Sequence, residues 1–315
     1  MRSTTSAQKL SEEGIDHILE KMSEAFRNLP RSPILHKPSE EGLAYEEVTF
    51  PSMDGTALEG WWMPCPGSER TIIANHPMGF TRSGLPSHLE PWKSVWGPSG
   101  NDFEVNFIPD YRILHEAGYN VLAYDLRNHG HSAAANGGII SSGIFESRDV
   151  LASIQYVQNR PDIPSVKIGL FSRCLGCDAT MYAMEQHPQA FAKVSCMVAP
   201  QPVSEEIILG KQLALAGVAV DRLKDLDHKM VIKTGLSIAE RDARKWAKSI
   251  CVPTFLYQVH DDVLTSPTDV QTMFDNIPMA DKKLQWVYGT TIRWDGYLEF
   301  QRRPAPMLDW FQNHM

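Results

Sequence analysis

Lys167-Ile168-Gly169-Leu170-Phe171-Ser172-Arg173-Cys174-Leu175-Gly176-Cys177 joins an apolar run to a segment of helix formers through a short turn. The run predicts a buried strand and the segment after it a helix, with Cys174 at the apex of the turn. A cysteine at a helix N-terminus lies at the positive end of the helix dipole, which favours thiolate over thiol. The segment therefore predicts a nucleophile between a strand and a helix. The competing interpretation is a buried, unreactive cysteine, since free cysteines are among the most buried residues.

The composition narrows the class of protein. The chain has 315 residues, enough for one large α/β domain with an insertion or for two ordinary domains. Its net charge is −8, and the basic residues are scattered, which argues against nucleic acid or an anionic membrane as a partner. Five cysteines without a regular framework predict reduced thiols. Residues 1–25 are polar, so we expect no signal peptide, and no stretch approaches the roughly 20 apolar residues of a transmembrane helix. We expect a cytoplasmic protein with a small-molecule substrate, and homo-oligomerisation stays open.

Strands and helices are predicted to alternate along the chain. The predicted strands are Glu46–Phe50, Ala57–Met63, Thr71–Asn75, Asn120–Tyr124, Val166–Phe171, Lys193–Val198, Thr254–Val259 and Lys283–Tyr288. The predicted helices are Pro109–Ala117, Phe145–Asn159, Gly176–His187, Ser266–Asn276 and Pro304–Asn313. Asp54-Gly55 predicts a hairpin between the first two strands. This order predicts an α/β fold whose mostly parallel sheet is covered by helices on both faces.

Two segments interrupt this alternation, and a third precedes it. Residues 201–250 are rich in helix formers and are predicted to form a helical cap between two strands. Residues 82–107 are predicted to form a long irregular loop. Residues 1–43 are predicted to form an N-terminal arm with an amphipathic helix over Ser6–Arg27. The predicted core is then residues 44–200 and 251–315.

The turn at Cys174 resembles the Gly-x-Ser-x-Gly nucleophile elbow of the α/β-hydrolase superfamily, with Ser172 and Cys174 in place of the first glycine and the serine. Other motifs follow in the order of that family. His76-Pro77-Met78-Gly79-Phe80 is similar to its oxyanion loop, and Asp125-Leu126-Arg127-Asn128-His129-Gly130-His131-Ser132 is similar to a turn found in many members. Val259-His260-Asp261-Asp262-Val263-Leu264-Thr265-Ser266-Pro267 is similar to the loop that carries the acid. The resemblance covers about residues 44–313 and implies the α/β-hydrolase fold with a helical cap.

The resemblance also implies roles for individual residues. Cys174 is expected to be the nucleophile and Asp262 the acid. The backbone N–H groups of Leu175 and of Met78 or Gly79 are expected to stabilise an oxyanion. An alternative for Asp262 is that it caps the helix predicted after it.

The last loop departs from the family, because Tyr288–Tyr297 contains no histidine. In a hydrolase triad this histidine takes the proton of the nucleophile and later activates water. Ile292 or Arg293 stands at the matching position. Arg293 is expected to stabilise a thiolate, but a guanidinium cannot carry protons at neutral pH. His260, beside the acid, and His76, beside the oxyanion loop, are the first candidates for the missing base.

These observations predict an enzyme that acts on an ester, thioester or lactone of a hydrophobic small molecule through an acyl-enzyme on Cys174. Hydrolysis and acyl transfer both stay open, and the missing histidine favours transfer. One alternative is a ligand-binding protein on a hydrolase scaffold that has lost turnover, and another is a non-hydrolytic cyclase or lyase that uses the same pocket. Cys174 and Cys177 also spell Cys-x-x-Cys, which is typical of redox sites, but the surrounding motifs do not match a thioredoxin fold. We expect neither a cofactor nor a metal site.

Overall fold

The strands of the protein form one large and one small sheet. The computed structural model describes residues 10–163 and 165–315. The strands in this part of the chain are β1 (Glu46–Pro51), β2 (Ala57–Met63), β3 (Arg70–Asn75), β4 (Gly84–Leu85), β5 (Val105–Asn106), β6 (Asn120–Tyr124), β7 (Lys167–Ser172), β8 (Val194–Pro200), β9 (Thr254–Val259) and β10 (Lys282–Val287). The large sheet has eight strands in the order β1-β2-β6-β3-β7-β8-β9-β10, and β4 pairs with β5. Each of the eight predicted strands is found within two residues of its predicted ends.

The large sheet is parallel apart from one edge. β1 and β2 are antiparallel and are joined around Asp54-Gly55, as predicted, and β2 pairs antiparallel with β6. All other neighbouring strands in this sheet are parallel. The carboxyl ends of the parallel strands therefore meet at one edge, which is where active sites of α/β sheets form.

Helices cover both faces of the large sheet. The α-helices of the described residues are α1 (Glu12–Glu24), α2 (Trp92–Trp96), α3 (Ile108–Glu116), α4 (Ser147–Gln158), α5 (Leu175–Gln186), α6 (Glu205–Leu215), α7 (Leu223–Thr234), α8 (Ala243–Trp246), α9 (Pro267–Asn276), α10 (Arg293–Arg302) and α11 (Ala305–His314). One apolar core lies under α4, α5, α8 and α9, and a second under α3, α10 and α11. In β7, Leu170 belongs to the first core and Phe171 to the second, because successive side chains of a strand point to opposite faces. The prediction of a sheet buried on both faces is confirmed.

The segment between β8 and β9 contains α6, α7 and α8. Helix α8 packs beside α5 and α9 on the first core, so the cap consists of α6 and α7. Helix α1 packs against it, and the two segments share an apolar cluster that includes Leu19 and Leu226. Ion pairs connect α1 to α7: Lys233 Nζ lies 2.6 Å from Glu20 Oε1 and 2.6 Å from Glu24 Oε2. Helix α1 is therefore part of the cap in space. No helix of the described residues has the length and apolarity needed to cross a membrane.

Two predictions about local structure need adjustment. The N-terminal helix begins at Glu12, where the Ser11 side chain accepts a hydrogen bond from the Gly14 N–H at 3.1 Å. The predicted start at Ser6 lies outside the described residues. Residues 82–107 hold α2, β4 and β5 and are not an irregular loop. A strand of two residues is too short to show a period in the sequence.

Helix α10 was not predicted at all. It begins at Arg293, inside the segment that the sequence identifies with a loop. Its buried side includes Arg293 and Glu299 as well as Trp294, Tyr297 and Phe300. Because charged residues share the buried face, apolar periodicity does not mark this helix.

Candidate active site

Cys174 occupies the turn between β7 and α5. Its backbone has φ 47° and ψ −114°, a left-handed conformation that is strained for a residue with a side chain. The Cys174 N–H donates a hydrogen bond to the Pro200 carbonyl at 3.0 Å, which ties the turn to the end of β8. The residue is 8% exposed. This geometry matches a nucleophile elbow, where a strained turn presents the reactive side chain above the sheet.

The residues on either side of Cys174 explain how the turn packs. A Cβ atom added to Gly176 would lie 2.5 Å from the Asn75 Cβ atom, so only glycine fits there. The Ser172 hydroxyl accepts a hydrogen bond from Asn75 Nδ2 at 2.8 Å and lies 3.1 Å from Thr180 Oγ1. The first small residue of the motif can thus be serine, because its hydroxyl has buried partners.

The predicted oxyanion donors border this turn. The Arg173 N–H donates to the Asn75 carbonyl at 3.0 Å, which places the elbow beside the loop that starts at His76. Within the described residues, the backbone N–H groups of Met78, Gly79 and Leu175 donate no hydrogen bond. Free backbone donors beside a nucleophile are what an oxyanion hole requires.

Two buried side chains connect the last loop to the acid loop. Arg293 Nη1 lies 2.9 Å from Asp262 Oδ2, and both side chains are at most 1% exposed. Asp262 Oδ1 accepts a hydrogen bond from the Leu264 N–H at 2.9 Å, so both carboxylate oxygens have partners. Burial opposes the charge of Arg293, but the neighbouring Tyr297, Cys174 and Asp262 raise the pKa of its guanidinium well above the ordinary value. Arg293 is therefore a permanent cation between Asp262 and the Cys174 sulfur.

Gln201 holds Arg293 in this position. Its backbone has a positive φ of 57°, and its side-chain Nε2 donates to the Arg293 carbonyl at 2.6 Å. Its Oε1 accepts from the Val259 N–H at 3.0 Å, and its own carbonyl accepts from Arg293 Nη2. Gln201 thus joins the ends of β8 and β9 to the start of α10.

Tyr297 is a site residue that the sequence analysis missed. It lies one turn after Arg293 on α10, is 1% exposed, and is close enough to Cys174 and Arg293 for their charges to act on it. Burial raises the pKa of the Tyr297 hydroxyl well above its usual value, so the hydroxyl stays protonated. The sequence analysis missed Tyr297 because it did not predict α10. A residue four positions after Arg293 faces the same side only in a helix.

His76 does not contact Cys174. Its Nδ1 lies 2.7 Å from the Pro77 carbonyl and its Nε2 accepts from the Leu126 N–H at 2.9 Å. Burial lowers the pKa of His76 well below its usual value, so the ring is neutral. Both nitrogens are bonded to the backbone, so the expectation that His76 replaces the missing base is not supported.

His260 also lies apart from the nucleophile. Its Nδ1 is 2.8 Å from Asp261 Oδ1, and its ring packs at 5.3 Å from Trp286 and 5.0 Å from Tyr288, measured between ring centroids. These contacts place the imidazole at the β10 edge of the sheet. Among the described residues His260 makes no hydrogen bond to Cys174, so the expectation that it replaces the missing base is not supported.

An aromatic cluster lies next to Tyr297. Its members come from the oxyanion loop, residues 82–107 and α10: Phe80, Trp96, Phe107, Trp294 and Tyr297. The Phe80 ring lies 5.1 Å from Trp294 and 5.3 Å from Tyr297. A separate cavity of about 360 Å³ is lined by cap residues, and Cys174 is not among them. The aromatic cluster is part of the second apolar core, and four of its five rings are buried.

Several solved structures are similar to this one. Esterase Pf2001 of Pyrococcus furiosus is 20% identical, with a TM-score of 0.66 over 91% of this chain and 100% of that chain. The α/β-hydrolase GrgF of Penicillium sp. sh18 is 17% identical, with a TM-score of 0.57 over 87% of this chain and 99% of that chain. Dienelactone hydrolase of Anabaena variabilis is 13% identical, with a TM-score of 0.54 over 87% of this chain and 99% of that chain. No protein-family model and no curated protein matches the sequence. The chain therefore has the α/β-hydrolase fold, a mostly parallel sheet flanked by helices, with a helical cap between β8 and β9.

Proposed function

We propose that the protein is a hydrolase-like enzyme that forms an acyl-thioester on Cys174 from an ester, thioester or lactone of a hydrophobic small molecule. The observation that carries this proposal is that Cys174, Arg293 and Asp262 are buried near one another. A guanidinium stands where the family's triad has an imidazole. The esterase and the dienelactone hydrolase that share the fold act, by their names, on esters and a lactone. Their substrate classes are consistent with the proposal.

Two sources of positive charge lie near Cys174. The Arg293 guanidinium supplies a fixed positive charge. Helix α5 begins at Leu175, so its positive end lies beside Cys174. Positive charge favours attack by the sulfur, because the thiolate is the nucleophilic form of cysteine.

Acylation then follows from the geometry of the turn. The sulfur attacks the acyl carbonyl carbon, and the backbone N–H groups of Leu175 and of Met78 or Gly79 stabilise the oxyanion. The leaving group departs with the electron pair of the broken bond.

Release of the acyl group is the step that lacks its usual agent. Arg293 cannot accept a proton from water, because a guanidinium stays protonated in proteins. An amine or a thiol is a better nucleophile than water and needs less activation. Acyl transfer to such an acceptor is therefore favoured over hydrolysis.

The test is rapid mixing of the protein with the p-nitrophenyl ester of a short fatty acid. We expect one equivalent of nitrophenol in a burst, followed by slow release that a small thiol or amine accelerates. Cys174→Ala should abolish the burst. Peptide mass mapping should locate the acyl group on the Cys174 peptide. Cys177→Ala is the matched control. Cys177 lies on α5, three residues after Cys174, and burial raises the pKa of its thiol. Its removal should leave the burst unchanged.

Two outcomes would overturn the proposal. Nitrophenol release that is unchanged in Cys174→Ala would show that Cys174 is not the nucleophile. Tight binding of a hydrophobic ligand without any acylation would favour the ligand-binding protein or a non-covalent catalyst.

A further inference from the structure

A carboxyl group lies beside the nucleophile and takes no part in the Arg293 and Asp262 pair. Asp178 follows Cys174 by four positions, and its backbone N–H donates to the Cys174 carbonyl at 3.0 Å. Because side chains of a helix tilt toward its N-terminus, the Asp178 side chain leans toward the turn that holds Cys174. Asp178 is 5% exposed, and its Oδ1 atom is fully buried without a hydrogen-bond partner in the described part of the chain.

The other buried carboxyl groups around Asp178 have partners. Glu205, the first residue of α6, accepts a hydrogen bond from the Ser142 hydroxyl. Asp269, on α9, accepts from the Ser204 N–H at 2.8 Å and from the Ser204 hydroxyl at 2.6 Å. A buried polar atom without a partner costs free energy and calls for a functional explanation. Among these three carboxyl groups, the unpartnered one adjoins the nucleophile.

The surroundings of Asp178 determine its protonation. Burial raises the pKa of this carboxyl well above the usual value, and the charges of Cys174, Glu205 and Asp269 raise it further. The positive charge of Arg293 acts in the opposite direction and is the weaker effect. Asp178 therefore keeps its proton to a higher pH than an ordinary carboxyl group and can donate it.

We propose that Asp178 is the proton-transfer group of this site and performs the task that a histidine performs in the family's triad. The inference rests on the proposed function, an acyl-thioester on Cys174. It names the residue that moves the proton in both half-reactions.

The protons balance over the cycle. When the Cys174 thiolate bonds to the acyl carbon, the bond to the leaving oxygen or sulfur breaks, and its electron pair takes the proton of the Asp178 carboxyl. The Asp178 carboxylate then accepts a proton from the incoming water, alcohol, amine or thiol as that group attacks the thioester. The carbon–sulfur bond breaks and its electrons return to the sulfur. Thiolate and carboxylic acid are both restored.

The experiment measures acylation of wild-type protein and of Asp178→Asn by donors with one acyl group and different leaving groups. A nitrophenolate leaves without a proton, so its burst rate should stay within about twofold in the variant. An alkoxide or an alkyl thiolate needs a proton, so acylation by those donors should fall by about 10²–10⁴-fold, the usual contribution of general acid catalysis. Glu205→Gln is the matched control, because this carboxyl is equally buried but partnered, and the dependence on the leaving group should not change.

A second readout uses the wild-type protein alone. The ratio of the acylation rates of an alkyl donor and a nitrophenyl donor cancels the ionisation of Cys174. This ratio should fall as pH rises through the pKa of Asp178. An Asp178→Asn protein with the wild-type leaving-group dependence, or a ratio that is independent of pH, would overturn the inference. Absence of any acyl group on Cys174 with the nitrophenyl donor would instead overturn the proposed function.

Discussion

The elbow and the last loop meet at one sulfur atom, yet they differ from the hydrolase pattern to different degrees. At the elbow the strained conformation of Cys174 and the close packing of Gly176 on Asn75 match the pattern, and the differences are the side chains of Ser172 and Cys174. At the last loop the histidine position lies at the start of α10, and a buried Arg293 fills the site. The comparison shows that the position of the nucleophile and the transfer of protons depend on different parts of this fold.

The physical reason lies in what each region has to satisfy. The elbow is fixed by backbone contacts that leave space for glycine only, so the side chain at its apex can change from oxygen to sulfur without moving the chain. The last loop is fixed by a buried carboxylate, Asp262, which needs a charged or hydrogen-bonding partner. An imidazole and a guanidinium can both satisfy that carboxylate, although only the imidazole can pass protons.

The largest expected effect breaks the last-loop side of the comparison. Arg293→Gln leaves the Asp262 carboxylate buried without its ion pair, and we expect the free energy of unfolding to fall by about 3–5 kcal/mol. Urea unfolding followed by fluorescence measures this loss. Arg302→Gln is the control, because Arg302 lies on the same helix and makes an exposed pair with Asp295 at 2.8 Å, with an expected loss of about 0–1 kcal/mol. Equal losses in the two variants would mean that Arg293 does not hold Asp262.

The next effect breaks the elbow side. Gly176→Ala brings a Cβ atom to 2.5 Å from the Asn75 Cβ atom, so β3 or α5 must shift. We expect a loss of about 1–3 kcal/mol in the free energy of unfolding, as for other overpacked sites. Gly210→Ala on α6 meets no atom closer than 3.6 Å and should gain up to about 1 kcal/mol from helix propensity. Similar unfolding curves for both variants would contradict the packing argument.

A third change tests the link between the two regions. Tyr297→Phe removes a buried hydroxyl near Cys174 and Arg293. We expect iodoacetamide to alkylate Cys174 roughly tenfold more slowly near neutral pH, equivalent to about 1.4 kcal/mol of thiolate stabilisation. Peptide mass mapping after brief treatment gives the rate for each cysteine. Tyr288→Phe changes a tyrosine that is 64% exposed and should leave the rate as it is. An unchanged alkylation rate in Tyr297→Phe would show that the Tyr297 hydroxyl does not affect the reactivity of Cys174.

The smallest expected effect concerns the ion pairs that hold α1 against the cap. Hydrogen bonds from Lys233 are the largest cause that lowers the pKa of Glu20 and of Glu24 below the ordinary value. A lowered pKa contributes stability that is present above the unfolded pKa of about 4.3 and is lost as pH falls through the folded value. We therefore expect backbone amides of α1 to exchange faster below that pH, while those of α5 change little. Lys233→Met should give the same difference at neutral pH, and equal exchange in wild type and variant would show that the ion pairs do not hold α1.

The fold could be predicted from the sequence because its strands are short, apolar and separated by turn residues. β7 and β9 needed no tertiary information, since their burial on both faces appears as continuous apolar runs. Helix α10 was missed because two charged side chains lie on its buried face. The sequence does not show that Arg293 and Glu299 are buried, because burial of a charge depends on a partner that is distant along the chain.

The site could be predicted in part. The position of Cys174 at a turn followed from local sequence alone. The choice of its neighbours did not, because His260 follows the last residue of β9 and its side chain turns toward Trp286 and Tyr288. Tyr297 required α10. Asp178 required knowledge that its carboxyl has no partner, which is a property of the folded chain.

The packing of α1 on α7 has a consequence for how the protein is made. Arg222 Nη1 lies 2.8 Å from Glu12 Oε2, although 210 residues separate them in the chain. At a synthesis rate of roughly 5–20 residues per second, α1 leaves the ribosome roughly 10–40 s before its docking surface exists. Helix α1 therefore emerges well before α7 and can dock only after α7 has been synthesised.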